Sequence, residues 1–334
     1  MQGFTIGICT YNPEKEVFIN TIKSLTDLDK PLGLEYEFII VDNNSNQKLE
    51  EVDYISTFLK TTAFSRIVYE KQAGLTIARL RVIKEAKFDW IIFFDDDNAP
   101  VEDYLKNASE LVLNFPFVAA WNAAIINVQY LGKVNGWFRT KGISHFQESN
   151  FRRTIYGNDD NSFRHWPFGT GLILKKDAAL LYTEKVRTNI YSLSDRKGGS
   201  LSSGGDGQMV ACALELGYAV GRAIELKLQH IISTRKSNLD YLKKQEYGIS
   251  YSDQMFLKET VPAGFKSIST LKGFFVMAKC IFFDNIYKYI RYGKENVLLS
   301  TCGLIGKFAG NFESQGIKRP FWLNPIAKMF GVKN

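Results

Sequence analysis

The chain has no long hydrophobic run: its densest apolar stretch, FFVMAKCIFF at 274–283, is ten residues long and contains Lys279. A bilayer-spanning helix needs about 20 apolar residues, so no segment is expected to cross a membrane. Cysteine is scarce, with four in 334 residues: Cys9, Cys212, Cys280 and Cys302. Their wide spacing offers neither a disulfide framework nor a zinc cluster and predicts reduced, buried thiols in a cytoplasmic protein. No basic leader region precedes the first apolar segment, FTIGIC at 4–9, so no secretory signal is expected. Glycine is missing where dinucleotide-binding folds need it most. The turn after that first segment reads CTYNPEKE, which excludes a glycine-rich dinucleotide turn, and no GxxxxGK[ST] phosphate loop occurs. The same gap disfavours a sugar-phosphate nucleotidyltransferase, which needs a glycine-rich basic loop at this point.

What is present is ample material for a core. With 45% hydrophobic and 14% aromatic residues, the chain reads as one large or two smaller globular domains. The formal net charge of +7 is unevenly spread. Residues 1–226 hold 25 Lys and Arg against 28 Asp and Glu, whereas 227–334 hold 17 against 7. A basic C-terminal third suggests an anionic partner there. A membrane surface is the expected one, because the basic residues form no identifiable nucleic-acid recognition module.

From the N-terminus, strand-like and helix-like segments alternate: strands at 4–9, 37–42 and 66–70, helices near 14–27, 47–60 and 74–87, and a strand running into Asp95. Pro13 is expected to open the first helix. Alternation of this kind predicts a largely parallel sheet flanked by helices, with ligands beyond the carboxyl ends of its strands. Polar groups gather at those ends: Thr10, Tyr11 and Asn12 after the first strand, and Asp42, Asn43 and Asn44 after the second. The segment WIIFFDDDNAP at 90–100 then delivers Asp95, Asp96 and Asp97 together. Three adjacent carboxylates repel one another unless a cation sits among them, and hard divalent cations prefer oxygen ligands.

TIGICTYN, IIVDNNS, AGLTIARLRVIKEA, WIIFFDDDNAP, FGTGLILKKDAAL (168–180) and SSGGDGQMVACALELGYAV (202–220) follow one another in an order that resembles a family 2 glycosyltransferase of GT-A fold. The resemblance covers residues 4–232. It implies an inverting sugar transferase with a mixed, mainly parallel sheet in a domain of residues 1–232, divided into a nucleotide-binding half (1–115) and an acceptor half (116–232). A basic, mainly helical extension (233–334) follows. It implies a Mn²⁺ or Mg²⁺ ion held by Asp97, with Asp95 on the metal or donor ribose; Asp96 could replace either neighbour in that register. Asp42 resembles the residue that binds the nucleotide base, and Thr10, Tyr11 and Asn12 flank base and ribose, unless Thr10 and Asn12 are simple helix caps. Arg79 resembles the arginine that reaches the donor, although Leu80 stands where the family usually has Asn; the alternative is an exposed helix arginine. Asp206 resembles the general base at a helix start near 207, or is an N-cap aspartate, and the family's preceding Glu is here Gly205.

His230, one of only three histidines, ends the strand LKLQH. It resembles a histidine that completes the metal or diphosphate site, or is an ordinary hydrogen-bonded strand end. Trp166, Gly169, Thr170 and Gly171 are candidates for the sugar pocket, because an aromatic face suits a sugar and glycine permits close approach; Trp166 could equally be core. The segment GWFRTKGISHFQESNFRRTIYGNDDNS shows no clear period and reads as an irregular acceptor-side lid. Residues 271–294 combine an aromatic face with five basic residues, the composition of a helix lying in a lipid headgroup layer, or else of one packed on protein.

The expectation is therefore transfer of a sugar, from a UDP-sugar first, to a glycan or lipid-linked saccharide, on the inner face of the cytoplasmic membrane. A non-catalytic nucleotide-sugar or membrane-binding protein is the rival reading.

Overall fold

The structure, a computed structural model, describes residues 3–159, 163–192, 195, 196, 198 and 200–332. The chain forms two compact units, residues 1–190 with 206–234 and residues 191–205 with 235–334.

The first unit is built on one mixed sheet. Its strands are β1 (Gly3–Thr10), β2 (Glu35–Asp42), β3 (Ser65–Tyr69), β4 (Trp90–Asp95), β5 (Asn98–Pro100), β6 (Val118–Tyr130), β7 (Ser149–Asn150), β8 (Ile155–Gly157), β9 (Leu172–Lys175) and β10 (Ala219–Ile232). The order is β3-β2-β1-β4-β9-β6-β10-β5, with β7 on β6 and β8 on β10. Its helices are α1 (Lys15–Thr26), α2 (Asp53–Thr61), α3 (Leu75–Glu85), α4 (Tyr104–Asn114), α5 (Gly136–Thr140), α6 (Lys176–Arg187) and α7 (Gly205–Glu215). The alternation expected in the N-terminal half is present: β3, β2, β1 and β4 all pair in parallel. Every residue of β1 is buried, the pattern of a central strand covered on both faces. α3 lies so close over β1 that a Cβ on Gly7 would collide with Val82.

Parallel register aligns the strand ends. Thr10 pairs with Asp42, Asp42 with Tyr69 and Cys9 with Asp95, so the polar residues that close separate strands stand in one row. Beyond β4 the sheet departs from a purely parallel order. β9 is antiparallel to both β4 and β6, and β5 is antiparallel to β10, opposite His230 at Asn98. β6 and β10 run parallel over most of their length, with an irregularity between Ala223 and Lys227.

Two local expectations are corrected. Pro13 does not open α1; Glu14 is its N-cap and the helix starts at Lys15. The segment after β6 is not irregular throughout: it forms α5, a 3₁₀ turn (Gly142–Phe146) and the short strands β7 and β8. Backbone pairing with β6 and β10 imposes this order where the side chains carry no period. Its last residues, 160–162, lie outside the described part.

The second unit is mainly helical: α8 (Leu239–Thr260), α9 (Thr270–Lys279), a π-helical turn (Cys280–Asp284), α10 (Asn285–Tyr292), α11 (Lys294–Ser314) and α12 (Leu323–Met329). α8 and α11 pack so closely that a Cβ on Gly306 or Gly310 would collide with the main chain of Tyr247 or Tyr251. Phe308, Phe312, Trp322 and Met277 complete that core. All four cysteines are free and buried, as expected.

Candidate active site

The turn between β4 and β5 sends its three carboxylates to three different partners. Asn98 holds the turn, its Oδ1 accepting from the Asp95 N–H at 3.1 Å and its Nδ2 donating to Asp97 Oδ1 at 2.9 Å. Asp95 Oδ1 lies 3.8 Å from Arg79 Nη2. Asp96 Oδ2 accepts from the Thr10 hydroxyl at 2.6 Å, and its main-chain carbonyl accepts from Thr21 Oγ1 at 3.0 Å. Asp97 is buried, with Oδ2 3.4 Å from His230 Nε2. The mutual repulsion expected of the triplet is relieved by divergence as well as by charge.

His230 Nδ1 lies 2.7 Å from the Phe146 carbonyl, which can only accept, so this nitrogen carries a proton. In the neutral ring Nε2 is then left with its lone pair facing Asp97. A backbone carbonyl that fixes the far nitrogen is the usual support of a metal-ligating histidine. Among the described residues no group of three or more His, Cys, Asp and Glu gathers for a metal. The pair Asp97 and His230 nevertheless fits a divalent cation of the kind that takes one or two protein ligands and completes its shell with phosphate oxygens and water.

Asp42, at the end of β2, is buried and accepts from the Ser45 N–H at 2.9 Å. The two adjoining loops are laced together, Asn12 N–H donating to Ser45 Oγ and Asn12 Oδ1 accepting from the Asn46 N–H, both at 2.8 Å. Asn12 and Asn44 have φ of 47° and 68°, a left-handed conformation that asparagine tolerates better than most residues. Neither Thr10 nor Asn12 caps α1, so that reading is set aside. Beside the loops lies a cavity of about 390 Å³ lined in part by Asn12, Asn46, Asp53 and Tyr54. Burial, and then the Asp96 charge, push the Tyr54 hydroxyl up to about 12. Tyr11 is exposed at the rim. Asn43, among the polar groups that close β2, turns out to be a structural tie: its Oδ1 accepts from the Gly74 N–H at 2.8 Å and joins the β2 end to the start of α3.

Arg79 and Asp206 meet at Gly169. Arg79 is 4% exposed, which corrects the reading of an exposed helix arginine. Asp206 lies inside the first turn of α7 and does not cap it, because the helix begins at Gly205. Its Oδ2 accepts from the Gly169 N–H at 2.7 Å and its Oδ1 from the Gly207 N–H at 2.9 Å. A Cβ on Gly169 would stand 2.9 Å from both Arg79 Nη2 and Asp206 Oδ2. The Cys9 thiol behind this group is pushed up to about 12 by burial, against the pull of Arg79.

The remaining pocket candidates differ in kind. Gly171 has φ +67°, and its carbonyl accepts from Tyr104 Oη at 2.6 Å. Thr170 donates to Gln147. Trp166 is 5% exposed and packs edge-on against Phe163, so it does not present the open aromatic face expected for a sugar. Its carbonyl instead accepts from Arg222 Nε at 2.8 Å.

The sequence model of glycosyl transferase family 2 matches residues 5–171. No curated protein sequence matches the chain. Among solved structures, S. aureus TarS 1–349 is 15% identical, covering 96% of this chain and 93% of its own, at a TM-score of 0.47. The same fragment in complex with UDP-GlcNAc is 13% identical, with coverage of 96% and 93% and a TM-score of 0.46. A longer S. aureus TarS chain is 14% identical, covering 98% of this chain at a TM-score of 0.49, and this chain spans 50% of its length.

Proposed function

Because the chain belongs to glycosyl transferase family 2, we propose that it transfers a sugar, with inversion, from a nucleotide-diphosphate sugar to the hydroxyl of a glycan or lipid-linked saccharide. The observation that carries this reading is the convergence of Arg79 and Asp206 on Gly169, with Asp95 3.8 Å from the same arginine. A cation able to meet a leaving diphosphate and a carboxylate able to take a proton thus share one site.

In the proposed step Asp206 accepts the acceptor's hydroxyl proton as the oxygen bonds to the anomeric carbon. The bond from that carbon to the diphosphate oxygen breaks, and the nucleotide diphosphate leaves with the electron pair. One displacement inverts the carbon. The N–H groups of Gly169 and Gly207 hold the carboxylate still, so orientation is fixed before the acceptor arrives. Bound Mn²⁺ or Mg²⁺ supplies charge neutralisation at the diphosphate, and Asp97 and His230 would hold it, with Asp95 on the same turn. Arg79 orients the donor. The laced loops at Asn12 and Ser45, with Asp42 beneath them, receive the nucleoside, which we take to be uridine.

The second unit supports a contact of its own. Phe275, Phe282, Phe283, Ile286 and Ile290 are exposed on α9, the π turn and α10, alongside Lys272, Lys279 and Arg291. Met277 and Cys280 are the side chains this stretch buries. Exposed aromatics interleaved with cations suit an anionic lipid surface, so we place the protein peripherally on the inner face of the cytoplasmic membrane. No helix among the described residues is long and apolar enough to cross one. Co-sedimentation with vesicles should rise with anionic lipid, and indifference to lipid charge would remove this part of the reading.

The donor is tested by a thermal-shift panel of UDP, GDP, dTDP and their sugars, with and without Mn²⁺. A rise with one nucleotide that requires the metal and is lost in Asp97→Ala is expected. No shift with any of them favours the non-catalytic alternative.

A further inference from the structure

The acidic turn and Asp206 do not use a cavity of about 570 Å³ in the first unit, between β7, β8 and the 3₁₀ turn at Phe163–His165. Arg152, Arg153, Arg164 and Arg222 line it with Phe151 and Phe168, and Glu148 is the one acid among its described lining residues. Glu148 Oε2 accepts from the Val128 N–H at 3.1 Å, and no described carboxylate forms an ion pair with Arg152, Arg153 or Arg164.

Arg222 is built in. It is 6% exposed, its Nε is held by the Trp166 carbonyl at 2.8 Å, and its guanidinium lies 3.9 Å over the Phe168 ring and 5.3 Å from Phe151. Burial lowers its pKa only to about 10, so it stays charged at neutral pH. Four guanidinium groups facing one cavity repel one another in the absence of a ligand. Their flat, forked donors match the oxygens of a phosphate better than any neutral sugar.

We propose that this cavity binds a phosphate group carried by the acceptor, which makes the acceptor a phosphate-bearing saccharide. The placement favours acceptor over donor. Phe168 lines the cavity, and the next residue, Gly169, donates its N–H to Asp206. No residue of the Asp95–Asp97 turn lines it. A phosphate anchored here holds its sugar on the base side of the site.

The proposal rests on the transferase reading, and two readouts separate their failures. Donor turnover in water, with metal, reports the transferase reading alone. Transfer to glucose 6-phosphate and to glucose is then compared in the wild type and in Arg153→Gln/Arg164→Gln, which leaves Arg222 and the fold in place. The expected result is unchanged donor hydrolysis, a tenfold or greater rise in KM for glucose 6-phosphate and no change for glucose. Equal KM values for glucose 6-phosphate, or equal rises for both acceptors, overturn it. Direct titration with inorganic phosphate tests the cavity even if donor turnover is absent: wild-type binding that the double variant loses supports it, and indistinguishable isotherms refute it. The same comparison with glucose on an isoprenyl diphosphate in neutral vesicles tells a lipid-borne phosphate from a soluble one.

Discussion

Replacing Gly169 by alanine is the sharpest probe of the proposed chemistry, because it shifts the base and the arginine without replacing either. The added methyl stands 2.9 Å from Arg79 Nη2 and from Asp206 Oδ2, and 3.1 Å from Asp206 Cβ. Ordinary van der Waals separation requires each gap to open by about half an ångström. The two nearest atoms end side chains, so they can move at about 0.5–1.5 kcal/mol of rotamer strain. That loss lowers Tm by only a few degrees in a domain of this size. Catalysis is less forgiving. A reacting group displaced by up to an ångström loses about a hundredfold in rate, equivalent to about 2.7 kcal/mol of barrier. Gly169→Ala should therefore keep its nucleotide-dependent thermal shift and lose about 10²-fold in kcat/KM for transfer. Gly171→Ala is the contrast: its φ of +67° and a methyl 2.7 Å from Tyr104 Oη should lower Tm and activity together. Transfer by Gly169→Ala within twofold of wild type would show that Arg79 and Asp206 need not stand where they do, and the mechanism would fall.

Other outcomes follow from the same geometry. Asp206→Asn removes the proton acceptor and turns an NH₂ or a weaker carbonyl toward the Gly169 N–H, so transfer should fall about 10²–10⁴-fold while donor binding by titration persists; retained transfer sinks the assignment. Asp97→Asn and His230→Ala should each weaken Mn²⁺-dependent nucleotide binding, read by calorimetry, and leave metal-free binding alone. Binding that stays metal-dependent in both would remove the pair from the cation site. Burial would raise the Glu37 carboxyl, but hydrogen bonds from Arg66, the Lys87 N–H and Thr5 outweigh it and hold it below 4.5. A depressed native pKa stabilises fully above the ordinary value and is lost as pH falls through the native one. Glu37→Gln should thus lose about 1–3 kcal/mol at pH 7, with the gap to wild type closing in acid denaturation as pH falls below the ordinary carboxylate value. A gap constant from pH 7 to pH 3 would contradict this account.

The strand ends were legible because each one depends on local pattern alone. Apolar runs stop at Thr10, Asp42 and Asp95, and parallel register carries those stops into one row. Asp206 was legible as a polar residue at a helix start, although the helix begins one residue before it. What stayed hidden depends on residues far apart in sequence. Thr10 and Asp96 are 86 positions apart, and the buried state of Arg79 depends on how α3 lies over β1, which Gly7 permits. Trp166 illustrates the same limit: the sequence leaves sugar platform and core equally open, and it is packing against Phe163 that makes it core, with its indole N–H on the Asp159 carbonyl and its own carbonyl on Arg222.

The two halves of the first unit also differ in how tightly they fix chemistry. The groups we propose for the donor sit at the ends of parallel strands that are themselves mostly buried, so small changes of sequence there move the row as a body. The groups we propose for the acceptor hang on β7 and β8, only two and three residues long, and on the turn through Trp166 to Gly171. Short strands add few hydrogen bonds, so their side chains can be exchanged with little loss to the sheet. Gly169 joins the two regimes, since its N–H fixes Asp206 while its missing side chain leaves room for Arg79. Substitutions among Arg152, Arg153 and Arg164 should then alter which acceptor is used and leave the donor unchanged. Substitutions at Asp95, Asp97 or Arg79 should abolish transfer to every acceptor alike.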